Sequence, residues 1–183
     1  VAGSAVLAAL EGTRPMLVEV QALVAPSSMA SPRRSVIGWD PNRLAMIVAV
    51  LETRCGVQLS GCDIFLNIAG GIKINEPAAD LAVAAALMSA LSGSPLPAES
   101  IFFGEIGLSG EVRQVAQADL RIKEASKLGF KEGVIPKAKK PIGRAAEKSV
   151  TAGFKLQALD HVQALSDLYM TRQVSGDVNM RAV

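Results

Sequence analysis

Two short stretches of the chain hold the residues whose types and spacing could support chemistry. They are residues 75–81, with the sequence NEPAADL, and residues 104–112, with the sequence GEIGLSGEV. Glu76 and Asp80 could form a carboxylate pair for acid–base catalysis. However, Pro77 is typical of the first position of a helix, where the positive end of the helix dipole favours acidic side chains. We therefore expect a structural role for Asp80.

This pair of stretches resembles the active-site framework of the Lon-type serine/lysine peptidases. In that family a serine within a P-S-A-G run opens a helix. A lysine fifteen positions after the first glycine of a G-E-x-x-L-x-G motif activates that serine. The corresponding positions here hold Ala78 and Asp119. Lys123 lies one helical turn beyond Asp119, at the wrong height to replace the missing lysine.

Neither Ala78 nor Asp119 can supply the chemistry of that dyad. Alanine has no nucleophilic atom. An aspartate side chain, ordinarily ionised at neutral pH, has no amine that could activate a neighbouring hydroxyl. The sequence therefore predicts a pseudo-peptidase, in which these two positions do not hydrolyse peptides.

Length and composition predict one compact domain. The chain has 183 residues, of which 50% are apolar, so it can bury a full hydrophobic core. We expect residues 1–170 to form a single domain and residues 171–183, which lack periodicity, to be a loosely ordered tail. There is no run of about eighteen uncharged apolar residues, no signal pattern and no initial methionine. We expect a piece of a longer cytoplasmic protein, with Cys55 and Cys62 as buried free thiols and no metal site.

Apolar periodicity places the two stretches within alternating strands and helices. Period-two alternation from Met16 to Val24 indicates a strand, and the DP pair at residues 40–41 indicates a helix start. His161 is expected on the surface of the last helix. Helices are predicted over residues 41–55, 77–91, 117–128 and 160–170, and strands over residues 16–24, 33–38, 62–69, 102–108, 111–113, 132–135 and 154–158. This order predicts an α/β domain, an α+β sandwich of two or three layers.

Five motifs in order extend the resemblance over about residues 3–170. They are LEGTRP at residues 10–15, GWDPNRL at 38–44, FLNIAGG at 65–71, EPAADL at 76–81 and RIKEASKLGF at 121–130. Together they resemble the C-terminal Lon-like domain of the RadA (Sms) family of bacterial DNA repair proteins. The resemblance implies the fold of the Lon proteolytic domain, which the second domain of a small-subunit ribosomal protein shares.

The resemblance also implies a parent protein with other working parts. That parent is a DNA-dependent ATPase or helicase of homologous recombination, with a zinc finger and a RecA-like ATPase core before the Lon-like domain. Its subunits form a hexameric ring that migrates DNA branches. ATP, magnesium and zinc are then expected in those upstream parts, and no cofactor is expected in this chain. Consistently, the sequence has no G-x-x-x-x-G-K-[ST] run, and GGIK at residues 70–73 is expected to be a turn.

Positive charge is concentrated in one part of the chain. Residues 1–110 hold six Lys and Arg against nine Asp and Glu, whereas residues 111–148 hold ten against five. Clustered cations bind phosphate backbones because each neutralised phosphate releases counterions. Aromatic residues make up 4% of the chain, so we expect sequence-nonspecific backbone contact rather than base stacking. The residues expected to contact DNA are Arg33, Arg34, Arg121, Lys123, Lys127, Lys137, Lys139, Lys140 and Arg144.

The sequence leaves three alternatives to a DNA-contacting ring scaffold. The basic face could serve solubility alone. The domain could be a pure oligomerisation module with no nucleic-acid contact. It could also be a working peptidase in which Ser35 or Ser109 is the nucleophile beside Lys73 or Lys123.

Overall fold

A computed structural model describes residues 1–138 and 153–170 of the chain. The predicted residues Lys139, Lys140 and Arg144 and the predicted tail over residues 171–183 lie outside the described part. The described strands are β1 (Ser4–Glu11), β2 (Arg14–Pro26), β3 (Arg34–Ile37), β4 (Cys62–Ile68), β5 (Ser100–Phe102), β6 (Glu105–Ile106), β7 (Val112–Arg113), β8 (Glu132–Pro136) and β9 (Lys155–Leu159). The helices are α1 (Pro41–Cys55), α2 (Asp80–Ser92), α3 (Ala118–Lys127) and α4 (Gln163–Tyr169), with short 3-10 turns at Ala69–Gly71 and Pro77–Ala79.

The main sheet has seven strands among the described residues, in the order β3-β4-β2-β1-β5-β8-β9. Strand β2 runs antiparallel to both of its neighbours, and the remaining pairs are parallel. Strands β6 and β7 form a separate antiparallel pair. The α/β class predicted from the sequence is confirmed.

Helix α2 is the centre of the core. Every residue from Asp80 to Ser89 is buried, as expected for a helix that is apolar nearly all round. It packs on β1 and β2, and α1 packs beside it. Helix α1 begins as predicted, because the Asp40 carboxylate accepts the Asn42 N–H at 2.8 Å and Pro41 occupies the first position.

The opposite face of the sheet is covered over part of its area. Helix α3 packs against β1 and β2 on this side, where Arg121 reaches the Ala8 carbonyl. Toward β4 and β3 the same face carries the exposed side chains of Leu23, Phe65 and Ile37. Within the described ranges, no helix is both long enough and apolar enough to span a membrane.

Three sequence-based boundaries differ from the structure. Strand β1 was not predicted, because its apolar residues Ala5, Leu7, Ala8 and Ala9 are buried on both faces and give no alternation. The strand predicted over residues 102–108 is divided at Gly104, whose φ of 155° takes the chain out of the main sheet. The last helix begins at Gln163, since His161 is held in an isolated bridge with Glu111.

Candidate functional site

The two stretches singled out in the sequence meet through their backbones. The Gly104 N–H donates to the Ala78 carbonyl at 2.9 Å, and the Leu81 N–H donates to the Gly104 carbonyl at 3.0 Å. Ala78 lies in the 3-10 turn that leads into α2 and is 2% exposed. The position that the family resemblance matches to the peptidase nucleophile therefore holds a buried methyl group, between α2 and the chain that follows β5.

Glu76, just before this turn, is paired with Arg121 of α3. Nη1 and Nη2 of Arg121 each donate to the Glu76 carboxylate at 2.8 Å, and the Leu10 N–H donates to the same carboxylate at 2.8 Å. Arg121 also donates to the carbonyls of Ala8 and Ala116 and lies 5.6 Å from the ring centroid of Phe103. This network joins the Ala78 turn to β1 and α3.

Among the predicted DNA-contacting residues in the described ranges, Arg121 is the one that lies in the interior. Its side chain is 2% exposed, and its charge is neutralised by Glu76. A buried, paired guanidinium cannot meet a DNA phosphate without unfolding this network. The prediction that Arg121 contacts DNA is therefore corrected.

Asp80, on the other side of the Ala78 turn, is paired with Arg43 of α1. The Arg43 guanidinium donates to both Asp80 carboxylate oxygens, and the Ile106 N–H donates to one of them at 3.0 Å. Burial raises the pKa of the Asp80 carboxyl above its ordinary value, although the hydrogen bonds from Arg43 and Ile106 act in the opposite direction. The hydrogen bond to Asp80 raises the pKa of Arg43. Asp80 thus joins α1, α2 and β6 through its carboxylate.

Asp119, which the family resemblance matches to the peptidase lysine, lies in the first turn of α3 and is exposed. The turn begins at Gln117, which has a φ of 60°. An acidic side chain at a helix N-terminus is favoured by the helix dipole. Ala78 is therefore buried, whereas Asp119 faces solvent.

The alternative serine and lysine residues are not brought together. Ser35 lies on β3 and Ser109 in the turn between β6 and β7. Both serines are exposed, as are Lys73 and Lys123. Among the described residues, neither serine hydroxyl is hydrogen-bonded to either lysine. Activation of a serine requires such a contact.

The other predicted DNA-contacting residues in the described ranges lie on α3, after β8 and at the start of β3. Lys123 and Lys127 are exposed one turn apart on α3, and Lys137 is exposed directly after β8. Arg33 and Arg34 are exposed at the start of β3. Within the described ranges, Lys123, Lys127 and Lys137 make no salt bridge. The guanidinium of Arg34 is instead turned to the backbone, where it donates to the carbonyls of Leu59 and Cys62.

A groove of about 290 Å³ lies between α1 and the β6–β7 pair. Arg113 pairs there with Glu111 at 2.6 Å, and Arg43, the partner of Asp80, is also in the lining. In the described part of the chain, no cluster of His, Cys, Asp and Glu has the arrangement of a metal site. The lining residues are Arg43, Met46, Glu105, Ile106, Gly107, Leu108, Ser109, Glu111 and Arg113.

His161 has a defined place that the sequence did not indicate. Its Nδ1 accepts the Gln163 N–H at 3.0 Å, so the proton of the neutral ring resides on Nε2. Nε2 then donates to the Ser109 carbonyl, 2.9 Å away. His161 therefore fastens the start of α4 to the β6–β7 turn rather than lying on a helix surface. No spacing signal could have revealed a contact between residues 52 positions apart.

Comparison with known proteins places these features in a family. The family model described as subunit ChlI of Mg-chelatase matches residues 42–139, more than half of the chain. The chain is 60% identical over 134 residues to the DNA repair protein RadA of Brucella abortus (strain 2308), an alignment that covers 73% of this chain and 29% of that protein. It is 59% identical over 138 residues to RadA of Rickettsia bellii, covering 75% and 31% of the two chains.

A more distant relative is aligned over a longer range. The DNA repair protein RadA of Pseudomonas aeruginosa is 52% identical over 161 residues, which is 87% of this chain and 36% of that protein. The chain thus spans about a third of the length of the curated relatives it matches. The chain belongs to the RadA family of DNA repair proteins, and its central segment belongs to the domain family described as subunit ChlI of Mg-chelatase.

Proposed function

We propose that this chain is a catalytically silent Lon-like domain of a RadA-family protein, which scaffolds a ring of subunits and offers a sequence-nonspecific surface to DNA. The observation that carries the proposal is the buried Ala78 methyl group, locked by Gly104, at the place of a peptidase nucleophile. The parent protein would supply ATP hydrolysis, with magnesium and zinc held outside this chain, and would use the ring in branch migration.

The ion pairs beside Ala78 support a structural use of this region. Glu76 and Asp80, which flank the turn, are each committed to an arginine. A general base needs a carboxylate that can take up a proton from a nucleophile within hydrogen-bond reach. Each of these carboxylates accepts three hydrogen bonds, from Arg43 or Arg121 and from a backbone N–H, and so fixes the elements around it.

Exposed lysines support the DNA surface. Lys123 and Lys127 on α3 and Lys137 after β8 present ammonium groups that make no salt bridge within the described ranges. Such cations are available to DNA phosphates. Their contribution is independent of base sequence and falls steeply with salt.

Duplex DNA binding measured against salt concentration tests this surface. The change of Lys137, Lys139 and Lys140 together to Glu should weaken binding of the 183-residue chain and reduce the slope of log affinity against log salt. The pair Lys123→Glu and Lys127→Glu should act in the same direction. Lys155→Glu is the matched control. Lys155 is the first residue of β9, and Lys137 directly follows the last residue of β8, which pairs with β9 in parallel. The two lysines therefore lie at opposite ends of this strand pair, roughly 17 Å apart along the strands.

The oligomerisation-module and peptidase alternatives predict different results for the same protein samples. A pure oligomerisation module would form a ring by light scattering while showing no DNA binding at low salt. A working peptidase would degrade casein, and Ser35→Ala or Ser109→Ala would abolish that turnover. Unchanged DNA affinity in both Lys→Glu sets would overturn the DNA part of the proposal, and a chain that stays monomeric at all concentrations would weaken the scaffold part.

A further inference from the structure

The groove between α1 and the β6–β7 pair has two basic and two acidic residues in its lining. Both basic residues are already paired. Arg43 donates to the buried Asp80, and Arg113 donates to Glu111 from Nε at 3.1 Å and from Nη2 at 2.6 Å. Within the described ranges, the carboxylate of Glu105 accepts no hydrogen bond and makes no salt bridge. Glu105 is therefore a carboxylate of the groove that no cation of the described chain neutralises.

The cation nearest to Glu105 across the hairpin is held elsewhere. Arg113 is in register with Glu105, so their Cβ atoms are about 5 Å apart, yet its guanidinium turns to Glu111 on its own strand. Glu111 is fixed in place, because its carboxylate accepts the Ser109 N–H at 3.1 Å. The carboxylate also fills the space over Gly107, where a Cβ would lie 1.9 Å from Oε1. The fixed Glu111 carboxylate thus keeps Arg113 away from Glu105.

The charge of Glu105 has little structural use. Burial is the main cause that raises the pKa of the Asp80 carboxyl, and the charge of Glu105 raises it as well. The hydrogen bond to Asp80 is the main cause that raises the pKa of Arg43, and Glu105 again acts in the same direction. The half-buried Glu105 therefore repels one member of this ion pair and attracts the other, and the two effects oppose each other. A charged group of this kind, without a stabilising role, indicates a functional one.

The rest of the lining suits a side chain with an aliphatic stem. Met46, Ile106 and Leu108 supply apolar surface beside the carboxylate, and Leu108 is 69% exposed. The volume of about 290 Å³ lies at the lower end of the range for small-molecule sites, so the groove suits a single side chain better than a cofactor. Lysine and arginine both combine an aliphatic stem with a cationic head. Arginine fits better, because its guanidinium can donate to both unoccupied oxygens of Glu105.

The hairpin wall of the groove is held in position before any ligand binds. Nε of Arg54 donates to the Leu108 carbonyl at 3.4 Å, and the ring of His161 donates to the Ser109 carbonyl. The Val162 N–H donates to the Gly110 carbonyl at 2.8 Å. Three consecutive carbonyls of the turn are thus fixed by α1 and by the start of α4. A preformed wall lowers the entropic cost of binding.

We propose that this groove binds an arginine side chain of a partner protein, with the Glu105 carboxylate accepting the guanidinium and Met46 and Leu108 covering the aliphatic stem. Charge favours this occupant over a phosphate group, which Glu105 repels. In the part of the chain that the structure describes, the acidic residues do not form a metal cluster. The exposed lysines proposed to contact DNA lie on α3, on the other face of the main sheet. Failure of DNA binding therefore does not decide this contact.

Titration of the 183-residue chain with a short peptide tests the proposal. The probe is a blocked pentapeptide with one central arginine among alanines, and backbone-amide NMR shifts are the readout. At low salt the peptide should produce saturable shifts at residues 105–111. The same peptide with citrulline, a neutral isostere of arginine, should bind at least about tenfold more weakly, because it cannot form a charged hydrogen bond. The lysine peptide should lie between the two.

Three variants assign the contact to Glu105. Glu105→Gln should weaken binding of the arginine peptide by at least about tenfold while leaving the urea unfolding midpoint unchanged. Glu124→Gln is the matched control, another half-buried glutamate but on α3, and it should bind like the wild type. Arg113→Gln should strengthen binding, because it removes the competing cation and leaves the Glu111 carboxylate available as well. A purely structural role of Glu105 would not produce this gain.

Several outcomes would overturn the proposal. Absence of saturable shifts, equal affinity for the arginine and citrulline peptides, or undiminished affinity in Glu105→Gln would each do so. Mg²⁺ alone causing the same shifts would assign the carboxylate to a metal ion instead. A dimer that the peptide converts to monomers in sedimentation equilibrium would assign the groove to a second copy of this chain rather than to a partner protein.

Discussion

The carboxylate of Glu76 and the guanidinium of Arg121 form a two-armed ion pair with both nitrogen–oxygen distances at 2.8 Å, although 45 residues separate them in the sequence. Arg121 is almost fully buried, whereas Glu76 retains partial contact with solvent. The pair lies on the inner side of the Ala78 turn. It fixes the turn to α3 and, through the Leu10 N–H and the Ala8 carbonyl, to β1.

Arg121→Ala should destabilise the fold strongly. It leaves the Glu76 carboxylate without its cation and removes the donors to the Ala8 and Ala116 carbonyls. Loss of one partner of a buried pair costs about 3–5 kcal/mol. Urea unfolding measures this cost. Lys123→Ala, an exposed change on the same helix, should stay within about 0.5 kcal/mol of the wild type.

A double change separates the ion pair from simple packing. Glu76→Gln combined with Arg121→Met removes both charges and keeps much of the buried volume. It should be more stable than Arg121→Ala alone. If the double variant is the less stable of the two, the uncompensated carboxylate is not the source of the loss.

Arg121 also shows which part of the site was not predictable from sequence. Its position in a basic segment indicated a surface cation, because a count of charges cannot distinguish a paired interior side chain from a solvated one. Glu76 and Asp80 were predicted to lie beside Ala78. Their arginine partners, 45 and 37 residues away, give no local signal and follow from the packing of α3 and α1.

Local sequence patterns were sufficient to predict features that depend on a single helix. The start of α1 followed from Asp40 and Pro41, and the burial of α2 followed from its continuous apolar sequence. Strand β1 was missed because its burial on both faces depends on β2, β5 and two layers of helices. The family resemblance grouped the stretches that contain Ala78 and Gly104, but the backbone contact between these two residues was not predicted.

Arg43→Met should show a cost that depends on pH. The hydrogen bond from Arg43 lowers the pKa of the Asp80 carboxyl. When this bond is removed, burial raises the pKa of Asp80 further. The unfolded pKa of such a carboxyl is about 3.9. When the folded pKa is higher, the carboxyl stabilises the fold fully below about pH 3.9, and this stabilisation is lost as pH rises through the folded pKa. The deficit against wild type should therefore be smallest near pH 4 and grow to about 3–5 kcal/mol at pH 7.

Urea titrations of Arg43→Met at several pH values measure this trend. Arg54→Met, on the same helix but exposed, is the matched control and should show little pH dependence relative to wild type. Arg43→Met combined with Asp80→Asn should flatten the profile, since no buried carboxyl remains to ionise. A deficit of equal size at pH 4 and pH 7 would contradict the assignment to Asp80.

Asp63→Asn should also show a deficit that shrinks as pH falls, but for the opposite reason, because here the wild-type carboxyl has a lowered pKa. The hydrogen bond from the Arg33 N–H, together with that from the Ser27 hydroxyl, lowers the pKa of the Asp63 carboxyl. A lowered folded pKa contributes stability above the unfolded value of about 3.9, and this stability is lost as pH falls through the folded pKa. The variant should be less stable than wild type at pH 6 and converge with it toward pH 2.5. Parallel stability curves across that range would refute this account.

Gly104→Ala should weaken the backbone contact between Gly104 and the Ala78 turn. Gly104 has a φ of 155°, and a Cβ built there would lie 3.1 Å from Val112 Cγ1 and 3.2 Å from Pro136 Cγ. Backbone strain and crowding together should cost about 1–3 kcal/mol. Gly12→Ala is the control, because its φ of 61° is also positive but no atom lies within 4 Å of the new Cβ. Urea unfolding should show a larger loss of folding free energy for Gly104→Ala than for Gly12→Ala. At Gly104 the added methyl group also displaces the hydrogen bonds to Ala78 and Leu81. Equal losses would mean that backbone strain alone, and not the packing of this junction, sets the requirement for glycine.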